Sequence, residues 1–229
     1  QTNEPFGKRV KLADIIVLSS TIDATVSESI ETTLRAAFHT HHISLVAFPP
    51  LAYAVFRDAF PHEKQYLVID ASGEATDIAL IEEGLLASVI SVPSGTRALL
   101  HPTKTAARTS APGKGVRVTR SSDIVIADDG ARAKWVTMMI EALKGLSNEH
   151  ALPRSVFLLA DDAARDYVKT ALDDEAFRSL WLSSDPISIV PILPAQFSSY
   201  VRVEGGATGD PYLMMLALYH GKRIDRFVA

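Results

Sequence analysis

A short polar hairpin at residues 70–77 carries the side chains of this sequence that are best suited to chemistry. It reads Asp-Ala-Ser-Gly-Glu-Ala-Thr-Asp and directly follows an apolar run at 66–69. A turn of small residues lets backbone N–H groups approach phosphate oxygens. A carboxylate at a strand end can hold a Mg²⁺-bound water, and hydroxyl groups add hydrogen-bond donors. The candidate nucleotide- or phosphate-binding residues are Asp70, Ser72, Gly73, Thr76 and Asp77, with an ordinary β-turn as the alternative interpretation.

Three apolar runs surround this hairpin and predict strands. They lie at 66–71, 76–82 and 85–92. The connections between them, Ser72-Gly73 and Glu83-Gly84, have the composition of tight turns, and tight turns join antiparallel neighbours. The sequence therefore predicts a three-stranded antiparallel meander.

Helices and strands alternate after the meander. Further strands are predicted at 155–159 and 187–192, and helical spacing predicts helices at 131–146 and 163–172, the latter extending towards Trp181. Asp210 followed by Pro211 predicts the start of a last helix. Antiparallel strands followed by this alternation predict an α/β fold, a mixed sheet with helices on both faces.

A small βαβ segment is predicted ahead of this sheet. Apolar runs at 13–18 and 43–48 predict strands, and Thr21 or Asp23 can cap the helix between them. Another helix is expected at about 51–60, after Pro49-Pro50. We therefore divide the chain into residues 1–50, the end of an upstream subdomain, and residues 51–229, the larger lobe. The first residues include no Met, which favours an interior start of the sequence.

The composition changes between residues 94 and 122, where Thr, Ser, Gly, Pro and basic residues dominate. Six basic residues and no acidic residue lie between 97 and 120. We expect a surface excursion there, with a short strand at 116–118. Such a stretch would suit anionic lipid or an acidic protein partner, and a solvated loop is the other interpretation.

Composition and missing motifs exclude several function classes. The net charge of −4 gives no case for specific nucleic-acid binding, and the absence of cysteine excludes thiolate zinc sites and cysteine nucleophiles. No nucleophile elbow, zinc-protease or Walker motif is present, so no catalytic residue is assigned. The histidines at 39, 41 and 42 are interpreted as solvent-facing, and no metal site is expected.

The 70–77 hairpin resembles the second phosphate loop of the actin-like ATPase superfamily, in which a run such as D-x-G-G-G-T-T-D follows an apolar strand. The chain is most similar to the bacterial cell-division actin FtsA and its pilus-assembly relative PilM. Three further segments carry this resemblance: 45–54 (LVAFPPLAYA), 82–86 (EEGLL) and 92–95 (VPSG). It implies a ribonuclease-H-like lobe, ATP and Mg²⁺ as ligands of the complete protein, and a scaffold or assembly role in the bacterial cytoplasm or, through a partner, at the inner face of the membrane.

The sequence departs from this pattern at the residues that would touch the nucleotide. Ser72, Glu74 and Ala75 replace Gly, Gly and Thr, and a carboxylate beside a triphosphate is repelled. The family's adenosine loop is a Gly-Gly turn, and its equivalent here is Ala160, Asp161 and Asp162. No Gly-rich first phosphate loop precedes residue 65. We therefore expect a degenerate nucleotide site, with no cofactor in this chain and ATP affinity no better than millimolar.

Three functions remain open at this stage. The first is an actin-like scaffold that acts through a protein partner or through self-association. The second is an ATP-dependent kinase or ATPase of the same superfamily, of which this chain is one lobe. The third is a ribonuclease-H-like binding module without nucleotide. A nuclease is disfavoured because it needs several carboxylates converging on two metal ions, and here Asp70 and Asp77 are the only candidates on strands.

Overall fold

The computed structural model describes residues 19–102, 124–126, 129–181, 187–205 and 209–228, together with Arg9 and Val17. The chain divides into two compact units, residues 1–47 and residues 48–229. Within these described ranges, no helix is long and apolar enough to cross a membrane.

The smaller unit contains the predicted helix, α1 (Ala24–Phe38). Asp23 caps it as expected, because its Oδ1 accepts a hydrogen bond of 2.9 Å from the backbone N–H of Thr25. The helix ends at His39, which adopts a left-handed conformation with φ of 51°. Apart from Val17, the strand predicted at 13–18 lies outside the described residues.

The strand predicted at 43–48 was wrong. Residues 42–47 form no regular element, and helix α2 (Phe48–Ala59) begins within the segment assigned to the strand. The sequence analysis took Pro49 and Pro50 as the end of a strand. Proline also suits the first turn of a helix, where its fixed φ fits and no N–H is needed. The two prolines occupy that turn, and the apolar residues after them form the buried face of α2.

The larger unit contains the predicted mixed sheet. Its strands are β1 (Tyr66–Ser72), β2 (Ala75–Glu82), β3 (Leu85–Val92), β6 (Ser155–Ala160) and β7 (Ser188–Pro191), in the order β3-β2-β1-β6-β7. β1, β2 and β3 pair antiparallel, whereas β6 runs parallel to both β1 and β7. This is a ribonuclease-H-like sheet, and its strands confirm the five that were predicted.

Helices cover both faces of the sheet, also as predicted. On one face, α4 (Asp129–Ser147) and α5 (Asp162–Leu172) pack over alternate residues of the strands, with Trp135 buried at the centre of this core. On the other face, α2 contacts α7 (Pro211–Val228), and an aromatic cluster forms between Phe56, Tyr66 and Phe157. Because side chains alternate along a strand, each buried strand contributes to both cores.

The connection after β3 contains two short elements. Helix α3 (Thr96–Leu99) leads into β4 (Leu100–Pro102), which pairs antiparallel with β5 (Ile124–Ile126). The remainder of the basic stretch, residues 103–123, and the strand predicted at 116–118 lie outside the described residues.

The helices of the second half begin and end at identifiable caps. α7 starts as predicted, since Oδ1 of Asp210 accepts a hydrogen bond of 2.9 Å from the N–H of Leu213. The predicted extension of α5 towards Trp181 was wrong, because α5 stops at Leu172 and a separate helix, α6 (Glu175–Arg178), follows. Asp174 caps α6 through the N–H of Ala176 at 3.1 Å.

Candidate functional site: the 70–77 hairpin

Three carboxylates lie at the end of the sheet where β1 and β6 end and β2 begins. Asp70 on β1 lies opposite Asp77 on β2, and the end of β1 lies beside the end of β6. Directly opposite residues of an antiparallel pair project from the same face, so Asp70 and Asp77 share one. Asp161 follows the last residue of β6 at the same edge. The two predicted aspartates of the hairpin and one residue of the predicted adenosine-loop equivalent therefore lie close together.

Asp70 is the buried member of this group, with 7% of its surface exposed. Its Oδ1 accepts a hydrogen bond of 2.8 Å from the hydroxyl group of Tyr212. Burial raises the pKa of Asp70 to about 6, hydrogen bonds from Tyr212 and Ser72 oppose this rise, and the charges of Asp77 and Asp161 add to it. Asp70 is therefore a carboxyl group that titrates close to neutral pH.

Tyr212 is the site residue that the sequence analysis missed. It lies in the first turn of α7, and its ring contacts that of Phe48 with centroids 5.4 Å apart. Burial, and then the charge of Asp70, raise the pKa of the Tyr212 hydroxyl well above its usual range. The hydroxyl therefore stays protonated and donates a hydrogen bond to Asp70. The Asp210-Pro211 signal located the helix, but no local pattern pairs Tyr212 with Asp70.

The tip of the hairpin is closed by the segment that follows β3. Gly73 makes the turn with φ of 50°, and its carbonyl oxygen accepts a hydrogen bond of 2.7 Å from the N–H of Arg97. The guanidinium group of Arg97 forms an ion pair with Glu74 at the tip. Gly95 packs so closely that a Cβ atom there would lie 2.5 Å from the carbonyl oxygen of Ser72. The hairpin is thus held by the chain's own backbone and side chains.

Thr76 does not share the face of Asp70 and Asp77. Its hydroxyl group donates a hydrogen bond of 2.8 Å to the carbonyl oxygen of Ser94 and accepts one of 3.2 Å from the indole N–H of Trp135. Thr76 is fully buried in the core on the α4 side of the sheet. The structure therefore separates Thr76 from the carboxylates with which the sequence grouped it, and gives its hydroxyl a structural role.

The three residues of the predicted adenosine-loop equivalent lie in different environments. Ala160 is the last, buried residue of β6. Asp161 precedes α5, and its Oδ2 accepts a long hydrogen bond of 3.4 Å from the hydroxyl group of Thr96. Asp162 projects into solvent with 82% of its side chain exposed and pairs with Arg165. The resemblance implies a Gly-Gly turn at this position, whereas this chain has the side chains of one buried alanine and two aspartates.

The charges of these residues are unfavourable for the phosphate groups of a nucleotide. Asp70 already accepts a hydrogen bond from the hydroxyl group of Tyr212, and its neighbours are carboxylates that would repel a triphosphate. The cation nearest the hairpin tip in the described part of the chain, Arg97, is paired with Glu74. No group of three or more His, Asp or Glu side chains within the described ranges is arranged to hold a metal ion.

No protein-family model matches the sequence, and no curated protein matches it significantly. Among solved structures, the chain is similar to the Aquifex aeolicus member of the Ppx/GppA protein family, with 13% identity, a TM-score of 0.37, and coverage of 60% of this chain and 39% of that one. The type II variant of the Aquifex aeolicus Ppx/GppA phosphatase gives 14% identity, a TM-score of 0.36, and coverage of 63% and 43%. The ethanolamine utilization protein EutJ from Carboxydothermus hydrogenoformans gives 15% identity, a TM-score of 0.28, and coverage of 62% and 49%.

The chain thus spans less than half the length of each of these structures. At 13–15% identity, these similarities carry no activity or partner over to this chain.

Proposed function

We propose that this chain is the larger lobe of an actin-like scaffold or assembly protein, similar to FtsA and PilM, whose nucleotide site is degenerate. The observation that carries the proposal is the hydrogen bond from Tyr212 to Asp70. In a working site of this kind, the carboxylate at the end of the first strand faces the ligand and holds a Mg²⁺-bound water. Here the same carboxylate is buried against the chain's own last helix.

The charges around the hairpin support the same proposal. Asp77 lies opposite Asp70, Asp161 follows the last residue of β6, and Glu74 lies in the turn of the hairpin, so an anion bound at the hairpin would meet their negative charges. Like charges 4 Å apart repel by about 1 kcal/mol in water and by about 4 kcal/mol near a protein surface. A triphosphate would meet several such repulsions, and Arg97, the basic group at the tip among the described residues, is paired with Glu74. Loss of nucleotide binding leaves protein–protein contact as the function that the fold can still perform.

The remaining parts of the proposal concern partners and location. We expect self-association or a protein partner, in the cytoplasm or at the inner face of the membrane through that partner. The basic stretch 97–120 would contact anionic lipid or an acidic partner. Specific nucleic-acid binding is not part of the proposal, since the net charge is −4.

The proposal is tested by measuring assembly of the complete protein by sedimentation, with and without Mg-ATP. We expect assembly to be independent of ATP and to survive the substitution Asp70→Ala. Asp166→Ala, which removes an exposed acid from α5, is the matched control. Assembly that requires ATP and is lost in Asp70→Ala, but not in Asp166→Ala, would replace the scaffold with a nucleotide-switched polymer.

One observation favours a second candidate, an ATP-dependent kinase or ATPase of the same superfamily. Asp70 has a pKa of about 6 and lies where the carboxyl ends of two parallel strands meet, and enzymes tune buried acids in this way for proton transfer. This candidate requires turnover of ATP by the complete protein that falls at least ~100-fold in Asp70→Asn. Turnover that is absent, or unchanged by the substitution, eliminates it.

A further inference from the structure

A cavity opens in the larger unit at the end of the sheet opposite the 70–77 hairpin. It has a volume of about 240 Å³, and it is lined by residues from the end of α4, the connection from α4 to β6, and the segment after α6. Arg154, one of these residues, lies just before the first residue of β6, whereas Asp161 follows the last residue of the same strand. No residue of the hairpin site lines the cavity, so whatever binds there is separate from the proposed assembly function.

One wall of the cavity is apolar and held in place by the core. Leu152, Leu180 and Trp181 line this wall, and all three pack against the core on the α4 side of the sheet. The indole N–H of Trp181 donates a hydrogen bond of 2.9 Å to the carbonyl oxygen of Pro153. This bond fixes the orientation of the ring and satisfies its single donor. The wall therefore offers an apolar surface that suits a planar ring.

The ionisable side chains that line the cavity are an arginine and a histidine, Arg154 and His150. An arginine presents five N–H donors in a planar fork that matches the two oxygens of a carboxylate, so it can hold a ligand in addition to a neighbour within the protein. Nδ1 of His150 lies 2.9 Å from Oε2 of Glu82, and this contact orients the imidazole ring. Among the residues that the structure describes, no Asp or Glu lines the cavity. Its polar side therefore favours an anion.

We propose that this cavity binds a small aromatic carboxylate, a single ring that bears one carboxylate group. The ring packs against Trp181 and the two leucines, and the carboxylate accepts hydrogen bonds from Arg154. Pockets for drug-sized ligands have volumes of about 300 Å³ and more. The cavity is slightly smaller than this range. A single ring fits that volume, whereas a nucleotide is too large for it.

The ring and the carboxylate of the ligand have different roles in this binding. Burial of the ring contributes in proportion to the apolar area that is removed from water. The charge-assisted hydrogen bonds select an acid over a neutral molecule of the same shape. Arg154 is half-buried, so its charge is partly screened by solvent, and the selection depends on two aligned hydrogen bonds rather than on charge alone.

Titration of the protein with benzoate, followed by calorimetry and by ligand-observed saturation-transfer NMR, tests the site. Benzamide has the same ring without the charge, and acetate has the charge without the ring. We expect benzoate to bind saturably with a Kd of about 1 mM or tighter. Benzamide and acetate should bind at least ~10-fold more weakly. Benzoate that does not saturate, or that binds no better than either of the other two probes, would overturn the proposal.

The substitution Arg154→Gln tests the contact with the carboxylate. Arg178→Gln is the matched control, since Arg178 is an exposed arginine of the neighbouring helix α6 and does not line the cavity. We expect the affinity for benzoate to fall at least ~10-fold in Arg154→Gln and to stay unchanged in Arg178→Gln. The affinity for benzamide should stay unchanged in both variants. Equal affinities of the two variants for benzoate would contradict the assigned role of Arg154.

Tryptophan fluorescence gives a second readout, which locates the ligand. The chain has two tryptophans, of which Trp135 is fully buried in the core and Trp181 lines the cavity. Benzoate should change the emission of the wild type, and Trp181→Phe should abolish this change. Ala151→Phe fills the cavity from an exposed position, so it should block benzoate while the emission of Trp135 shows that the variant is folded. A folded Ala151→Phe protein that binds benzoate as the wild type does would overturn the proposed location.

Discussion

The hydroxyl oxygen of Tyr212 lies 2.8 Å from Oδ1 of Asp70, and this contact joins the last helix to the first strand of the sheet. It stabilises a buried carboxylate with a neutral donor rather than with a cation. Burial outweighs the hydrogen bond, so the pKa of Asp70 is raised to about 6 rather than lowered. The negative charge of Asp70 at neutral pH therefore destabilises the folded state. The first two predictions depend on the balance between this burial and the hydrogen bond from Tyr212.

Asp70→Asn should increase the stability of the protein at pH 8. The folded-state pKa of Asp70 is raised, so its stabilising contribution is fully present below about pH 4 and is lost as the pH rises through 6. A shift of about two pKa units corresponds to about 3 kcal/mol. The difference in unfolding free energy between Asp70→Asn and the wild type should grow between pH 4 and 6 and then level off. Urea unfolding across this range measures it, and a constant difference would contradict the prediction.

Tyr212→Phe should destabilise the protein mainly when Asp70 is charged. The substitution leaves a buried carboxylate without its donor, which costs about 2 kcal/mol. At pH 8 the loss should be near this value, and it should shrink at pH 4, where Asp70 is protonated. In an Asp70→Asn background the same substitution should cost about 1 kcal/mol or less. A double-mutant cycle measures this coupling, and additive losses would show that the two side chains do not interact.

The sheet was predictable because apolar runs and turn residues, which are local features of the sequence, indicate its strands. Short apolar runs separated by Ser72-Gly73 and Glu83-Gly84 locate β1, β2 and β3, since turn residues and side-chain alternation are local properties. The segment 43–48 failed for the opposite reason. Its apolar residues suit a strand or a buried helix equally, and only tertiary packing decides that Phe48 and the two prolines begin α2.

Gly95→Ala should destabilise the protein by about 1–3 kcal/mol, because overpacking against fixed atoms forces the backbone to move. Its Cβ atom would lie within 2.6 Å of three carbonyl oxygens of the hairpin, those of Ser72, Gly73 and Ala75. Gly145→Ala on α4 is the control, since a Cβ atom there meets nothing within 4 Å. That substitution should stabilise the helix by about 0.5–1 kcal/mol. Thermal unfolding of both variants is the measurement, and equal shifts in Tm would contradict the close approach at Gly95.

Tyr66→Phe should leave the stability unchanged or raise it by about 1 kcal/mol. The hydroxyl oxygen of Tyr66 is buried and has no hydrogen-bond partner among the described residues. Tyr53→Phe is the control, because the hydroxyl group of Tyr53 donates a hydrogen bond of 2.9 Å to the carbonyl oxygen of Gly84. We expect that control to lose about 1 kcal/mol in denaturant unfolding. A loss of the same size in Tyr66→Phe would indicate a partner for its hydroxyl group.

The candidate site was only partly predictable. Asp70 and Asp77 lie opposite each other because the two-residue turn Gly73-Glu74 fixes their register, whereas the sequence analysis placed this turn one residue earlier, at Ser72-Gly73. Thr76 was grouped with them by proximity in sequence, although side-chain alternation sends it to the other face of the sheet. The contact of Tyr212 with Asp70 could not be predicted, because the two residues are far apart in the sequence and no local pattern indicates that they meet.

The degenerate nucleotide site is the central claim, and calorimetric titration of the protein with Mg-ATP tests it most directly. Asp70 is held by Tyr212, and the surrounding carboxylates repel phosphate groups. We therefore expect a Kd of millimolar or weaker, which corresponds to about −4 kcal/mol or less favourable binding. A micromolar Kd, about −8 kcal/mol, that is lost in Asp70→Ala would contradict the claim.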